Sequence, residues 1–164
     1  MTSSAKAPET ADQAGASEGF TLLELLIAVT VATALAAIAI QSYGSFRTQA
    51  ETNQAINDLR TIDASIQIYR QANSGYPSSL TLLPDGNKLD PWGNPYQYLQ
   101  IDGGDVKGKG QMRKDKSLVP INSDFDLYSM GPDGQSVAPL TAKTSQDDIG
   151  GANNGGYFGV ASNY

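Results

Sequence analysis

Gly19-Phe20-Thr21-Leu22-Leu23-Glu24 opens an apolar run, Phe20 to Ile40, that reads FTLLELLIAVTVATALAAIAI and carries one charge, Glu24. At 1.5 Å per residue a helix over this run is roughly 31 Å long, which matches a hydrocarbon core of about 30 Å. The apolar part of a secretory signal is shorter, about 7–15 residues, and follows a basic stretch. Here the preceding residues set Lys6 against Glu9, Asp12 and Glu18. The core helix of a small soluble domain is rarely apolar on every face. The run therefore reads as a transmembrane helix, 20–40, preceded by a small polar segment, 1–19. A lone charge inside such a helix costs about 2.5–3.5 kcal/mol, so Glu24 needs a partner. Gly19, small and directly before the run, suits a protease that accepts extended backbone. A cut after Gly19 gives Phe20 a free amine. In a staggered bundle of helices that amine neutralises Glu24 of the next subunit, in surroundings that screen charge poorly.

Outward from this run, the pattern changes without a break. Ala55, Leu59, Ile62, Ile66 and Tyr69 recur at spacings of four and three, with Glu51, Asp58, Arg60 and Arg70 off that face. The spacing predicts an amphipathic stripe. Between Gln41 and Asn73 only Gly44 opposes helix, at about 1 kcal/mol relative to alanine. Gly75-Tyr76-Pro77 ends the run. One helix over about 20–73 is thus expected, on the order of 80 Å long, apolar all round in its first half and amphipathic over 41–73. Residues 74–164 read as a small head. Ser, Pro, Gly and Asp over 74–95 favour turns. Tyr96–Ile101 and Asp124–Met130 read as strands, with Asp102-Gly103-Gly104-Asp105 as a turn. After Gly131 the chain is rich in Gly and Asn with few apolar anchors, and is read as loop. The basic stretch 107–116, KGKGQMRKDK, is read as a solvated hairpin loop because glycines interrupt its charges.

Composition narrows the function. The 164 residues carry a net charge of −6, and a phosphate-binding surface needs a basic excess, so no nucleic-acid partner is expected. With no cysteine and no histidine, the chain lacks a thiolate nucleophile, the commonest general base and the commonest zinc ligands. Clustered carboxylates such as Asp124 and Asp126, or Asp147 and Asp148, sit in contexts suited to turns, metal or solvent. An enzyme is not expected.

The stretch Gly19-Phe20-Thr21-Leu22-Leu23-Glu24 and the apolar run behind it resemble the class III signal of type IV pilins and type II secretion pseudopilins. The resemblance implies that an aspartyl prepilin peptidase cuts after Gly19 and N-methylates Phe20. It also implies that Glu24 matches subunits during assembly. One departure is Gln41, where many relatives have a proline, so no proline kink is imposed there. The fold implied is α+β and pilin-like: a long N-terminal helix packed on a small antiparallel β-sheet.

Two head segments narrow the resemblance to the major pseudopilins of type II secretion. Asp90-Pro91-Trp92-Gly93-Asn94-Pro95-Tyr96-Gln97-Tyr98 is similar to their DPWGNPYQY segment; its prolines, glycine and aromatics make it a rigid packed loop. Asp126-Leu127-Tyr128-Ser129-Met130-Gly131-Pro132-Asp133-Gly134 and Asp147-Asp148-Ile149-Gly150 resemble two further stretches of that group. In that group this C-terminal loop holds calcium, a cation that takes six to eight oxygens. Carried over, the ligands are the Asp133, Asp147 and Asp148 side chains and the Met130 carbonyl. The implied role is a structural subunit of a periplasmic pseudopilus, anchored once in the inner membrane with its head in the periplasm and polymerised as a helical filament of like subunits. Its implied partners are prepilin peptidase, an inner-membrane assembly platform and ATPase, and minor pseudopilins. The alternatives are a major pilin of an extracellular type IV pilus and, from another class, a membrane-anchored calcium-dependent binding module.

Overall fold

The computed structural model describes residues 19–116 and 118–164. The expected leader, apart from Gly19, lies outside the described residues. The chain divides into two compact units, Met1–Ser42 and Tyr43–Tyr164. A single α-helix, α1 (Leu22–Asn73), supplies residues to both.

In the first unit, Gly19, Phe20 and Thr21 are exposed and precede the helix without regular secondary structure. Thr21 caps it: the Glu24 amide donates to the Thr21 hydroxyl oxygen at 3.2 Å. This satisfies one of the donors that every helix leaves open at its start. Leu22, Leu26, Val31, Leu35 and Ile40 are each more than half exposed. Thr30 and Thr33, the polar interruptions, turn their hydroxyls back onto the helix: Thr30 donates to the Ile27 carbonyl, and Thr33 to those of Val29 and Thr30. Hydroxyls satisfied in this way are tolerated in an apolar solvent. The stretch is long and apolar enough to cross a membrane.

In the second unit the stripe foreseen on the helix forms the core. Ala55, Leu59, Ile62 and Ile66 are at most 1% exposed and join Leu80, Leu83, Tyr96, Phe125, Leu127 and Ile149 in one cluster. The sheet that closes this cluster has four strands, β1 (Gln97–Gln100), β2 (Phe125–Ser129), β3 (Ile149–Ala152) and β4 (Tyr157–Val160). They lie in that order, and each neighbouring pair is antiparallel. β1 and β2 fall within the two strands expected from sequence. β3 and β4 correct the reading of the tail as loop. Their sequences, IGGA and YFGV, lack the alternation that marks a strand, because glycines take the places of side chains. The glycines fit close neighbours: a Cβ at Gly151 would lie 3.1 Å from the Phe158 ring.

The β3–β4 turn explains the asparagines. Asn153 and Asn154 take φ of 57° and 51°, a region that asparagine tolerates better than most residues. Side chains and backbone then tie the turn to the chain before β2. The Asn154 amide donates to Asn122 Oδ1 at 3.0 Å, and the Ser123 amide donates to Asn154 Oδ1 at 2.8 Å.

A second correction concerns Asp58, expected on the solvent side of α1. It is 7% exposed, accepting from Lys88 Nζ at 2.6 Å and from the Tyr96 hydroxyl at 3.1 Å. Burial, then the Asp58 charge, pushes the Tyr96 hydroxyl well above its usual pKa, so it stays a donor.

Two predictions follow the packing. Ile62→Ala removes a fully buried side chain from the centre of the cluster, and is expected to cost about 3 kcal/mol in urea unfolding of the detergent-solubilised chain. Asp63, next on the helix, faces the β3–β4 turn; burial, and secondarily Asp124, raises its pKa. A carboxyl raised by folding stabilises the fold below its ordinary pKa, and that contribution is lost as pH rises through the folded value. Asp63→Asn is therefore expected to raise the melting temperature more at pH 7 than at pH 4. Equal shifts at both would contradict it.

Candidate functional site

The functional residues expected from sequence fall in two places, one at the start of α1 and one at the end of β2. At the first, Gly19 and Phe20 are exposed and non-helical, and the helix begins at Leu22. Glu24 stands in the first turn, where a carboxylate also complements the positive end of the helix dipole. Thr21 and Glu24 have the spacing of a capping box. Only the Thr21 half of the box is formed, and the T-x-x-E pattern was the available signal for that cap. The Glu24 carboxylate is exposed and has no ion pair or side-chain hydrogen bond among the described residues.

The second place is built on Asp90, which begins the DPWGNPYQY segment. Asp90 is 5% exposed. Its Oδ1 accepts from the Asn94 amide at 2.8 Å and the Trp92 amide at 3.1 Å, closing the turn, and Gly93 takes the φ of 90° that the turn requires. Its Oδ2 accepts from the Ser129 hydroxyl at 2.6 Å, and Ser129 in turn accepts from the Gly131 amide at 3.1 Å. The rigid loop is thereby fastened to the last residue of β2. Trp92 and Tyr98 pack partly buried against the core.

Beyond β2 lie the four expected calcium donors. Gly131, at φ 66°, brings the chain after Met130 close to Asp147; a Cβ there would stand 2.5 Å from the Asp147 carbonyl oxygen and 3.1 Å from its Oδ2. Asp133 is exposed, with Oδ1 accepting from the Gln135 amide at 2.8 Å in a turn of its own. Asp148 is fully buried and faces elsewhere. Its Oδ2 accepts from Arg113 Nη2 and from the Ser136 hydroxyl, each at 2.6 Å, while Oδ1 has no partner among the described residues. No group of three or more metal-binding side chains exists among the described residues. Asp133, Asp147 and Asp148 thus form no such group among the described residues, and a guanidinium holds one of the two Asp148 carboxylate oxygens.

Arg113 was read as part of a solvated basic loop, and it is 4% exposed. Besides Asp148, its Nη1 donates to the Ser136 hydroxyl oxygen at 2.6 Å and the Val137 carbonyl at 2.8 Å. Its backbone amide donates to Asp126 Oδ2 at 2.7 Å, and its guanidinium lies 4.2 Å over the Tyr128 ring. Asp126 and Asp148 both have raised pKa values, chiefly through burial, with hydrogen bonds and the Arg113 charge working in the opposite direction. No sequence signal separated Arg113 from its lysine neighbours.

An exposed apolar helix start, a helix stripe closed by a four-stranded antiparallel sheet and a locked turn before β1 define the α+β pilin-like class. No family model matches the chain. Among curated proteins, the type II secretion system core protein G of Pseudomonas aeruginosa is 33% identical over 138 residues, covering 71% of this chain and 84% of that protein. The proteins of the same name from Aeromonas hydrophila and Vibrio cholerae are 27% and 28% identical. They cover 82% and 71% of this chain and 92% and 82% of their own lengths. The chain belongs to this core protein G family, the major pseudopilins of type II secretion.

The Asp90 geometry yields a direct expectation. Asp90→Ala leaves two backbone amides and the Ser129 hydroxyl without their acceptor, and is expected to cost about 3 kcal/mol in urea unfolding. Asp90→Asn, which keeps one acceptor oxygen, is expected to cost less.

Proposed function

We propose that this chain is cut after Gly19, N-methylated on Phe20 and polymerised through the first half of α1 into a periplasmic pseudopilus. One observation carries the reading: Gly19 and Phe20 are exposed and non-helical just ahead of a capped apolar helix, whose first turn holds a carboxylate without a partner among the described residues. A peptidase needs accessible backbone outside a helix at the bond it cuts, and the exposed, non-helical Gly19-Phe20 pair suits that need. After the cut, the amine of Phe20 and the carboxylate of Glu24 are the charges of an otherwise apolar surface. Each is costly alone in lipid, and each is neutralised by its opposite on a neighbouring subunit. The exposed side chains from Leu22 to Ile40 supply the contact area: lipid covers them before assembly and neighbouring helices after it.

In this reading the protein has a mechanical, structural role and acts with the other components of type II secretion: prepilin peptidase, an inner-membrane platform with its ATPase, and minor pseudopilins. The first unit anchors the chain once in the inner membrane, and the head, 74–164 with the amphipathic half of α1, stands in the periplasm. Membership of the core protein G family favours this assembly over a surface pilus.

The test is mass spectrometry of the chain purified from cells that carry the secretion system. The expected species begins at Phe20 and is 14 Da heavier at that residue, the mass of one methyl group in place of a hydrogen. An intact amino terminus, or a cut elsewhere, would overturn the reading. Glu24→Ala is expected to insert in the membrane normally, yet to reduce filament recovered by shearing about tenfold or more, the effect of losing one poorly screened charge pair. Undiminished filament from this variant would remove Glu24 from the mechanism.

A further inference from the structure

We infer that Arg113 is a built-in cation that holds the C-terminal loop of the head together, so that this head folds without calcium. The inference stands on the head alone and does not depend on the filament role.

The loop in question, 130–148, is long and has few apolar anchors, so something other than core packing must order it. Its last residue before β3 is Asp148, a carboxylate with no exposed surface. A buried carboxylate needs a compensating positive charge and hydrogen bonds. Arg113 provides the charge from a different part of the chain, the connection between β1 and β2. Its two terminal nitrogens reach Asp148 Oδ2, the Ser136 hydroxyl and the Val137 carbonyl, so the middle and the end of one loop are joined through a single side chain. The Ser136 hydroxyl completes the triangle by donating to the same Asp148 oxygen.

The residue is also anchored from behind. Its amide is held by Asp126 on β2, Asn122 Nδ2 donates to the other Asp126 oxygen at 3.0 Å, and the guanidinium rests on Tyr128. The planar, five-donor guanidinium suits this several-sided contact in a way that an ammonium does not. A divalent ion joining Asp148 would have to share the carboxylate with a guanidinium already 2.6 Å away, and the two positive charges would repel in a region that screens little. Among the described residues Asp148 Oδ1 is the one buried side-chain oxygen without a hydrogen-bond partner, and it belongs to the same carboxylate that Arg113 holds. Asp133 is turned outward to its own backbone, and only the Asp147 side chain lies against the Met130–Gly131 turn.

The experiment uses the full chain purified in detergent, with thermal unfolding followed in chelator and in millimolar calcium, and calcium content measured after dialysis. The expected result is one melting temperature under both conditions and no bound calcium. Arg113→Met is expected to lower the melting temperature by about 10 °C in chelator, since it strands Asp148 without a counter-charge. If that variant does not fold, the unsubstituted chain still decides the question. A melting temperature that falls in chelator or rises with calcium, or stoichiometric calcium after dialysis, overturns the inference. So does an Arg113→Met chain as stable as the parent.

Discussion

Four side chains on one stripe of α1, those of Ala55, Leu59, Ile62 and Ile66, cannot stay in water without cost, and everything in the head is arranged to cover them. No other helix is present among the described residues beyond short 3₁₀ turns, so the cover must come from a sheet and its connections. Phe125 and Leu127 of β2 and Ile149 of β3 supply the opposite wall, with Leu80, Leu83 and Tyr96 closing the side. A core of this size gives modest stability by itself.

The head makes up the difference with buried polar ties. Asp90 fastens the turn before β1 to the end of β2, Asp58 joins α1 to Lys88 and Tyr96, and Asn154 ties the β3–β4 turn to residues 122 and 123. Each tie links segments far apart in the chain and substitutes for apolar contact where little apolar surface is available. Burial makes them demanding as well as useful, since a buried charge with its partner removed costs more than the pair contributed. The Arg113–Asp148 pair is the extreme case, with both side chains almost wholly removed from water.

The two halves of α1 obey different solvents. Over Leu22 to Ile40 the helix is apolar on every side and its threonines satisfy themselves on their own backbone, as a lipid or helix-packed setting requires. From Ala55 onward one face is buried by the protein and the rest is polar or only partly covered. In the reading proposed here, the first half meets lipid and then neighbouring subunits, while the second half carries the head. The join between membrane work and head stability is thus made within a single secondary-structure element.

Periodicity and composition determined a good part of this protein unaided. A run apolar on all sides, a stripe at spacings of three and four, a Gly-Tyr-Pro stop and a Pro-rich turn beside Trp92 are local patterns, and local patterns are legible in a single chain. The boundary motif around Gly19 and Glu24 belongs to the same class. Tertiary structure decided the rest. β3 and β4 carry too many glycines to announce themselves and exist because β2 offers an edge to pair with. Asp58 is buried because Lys88 and Tyr96 arrive from elsewhere to meet it, and Arg113 differs from the lysines around it only because Asp148 and Tyr128 stand where its side chain reaches. A charged residue's burial depends on partners distant in sequence, and spacing along the chain carries no record of them.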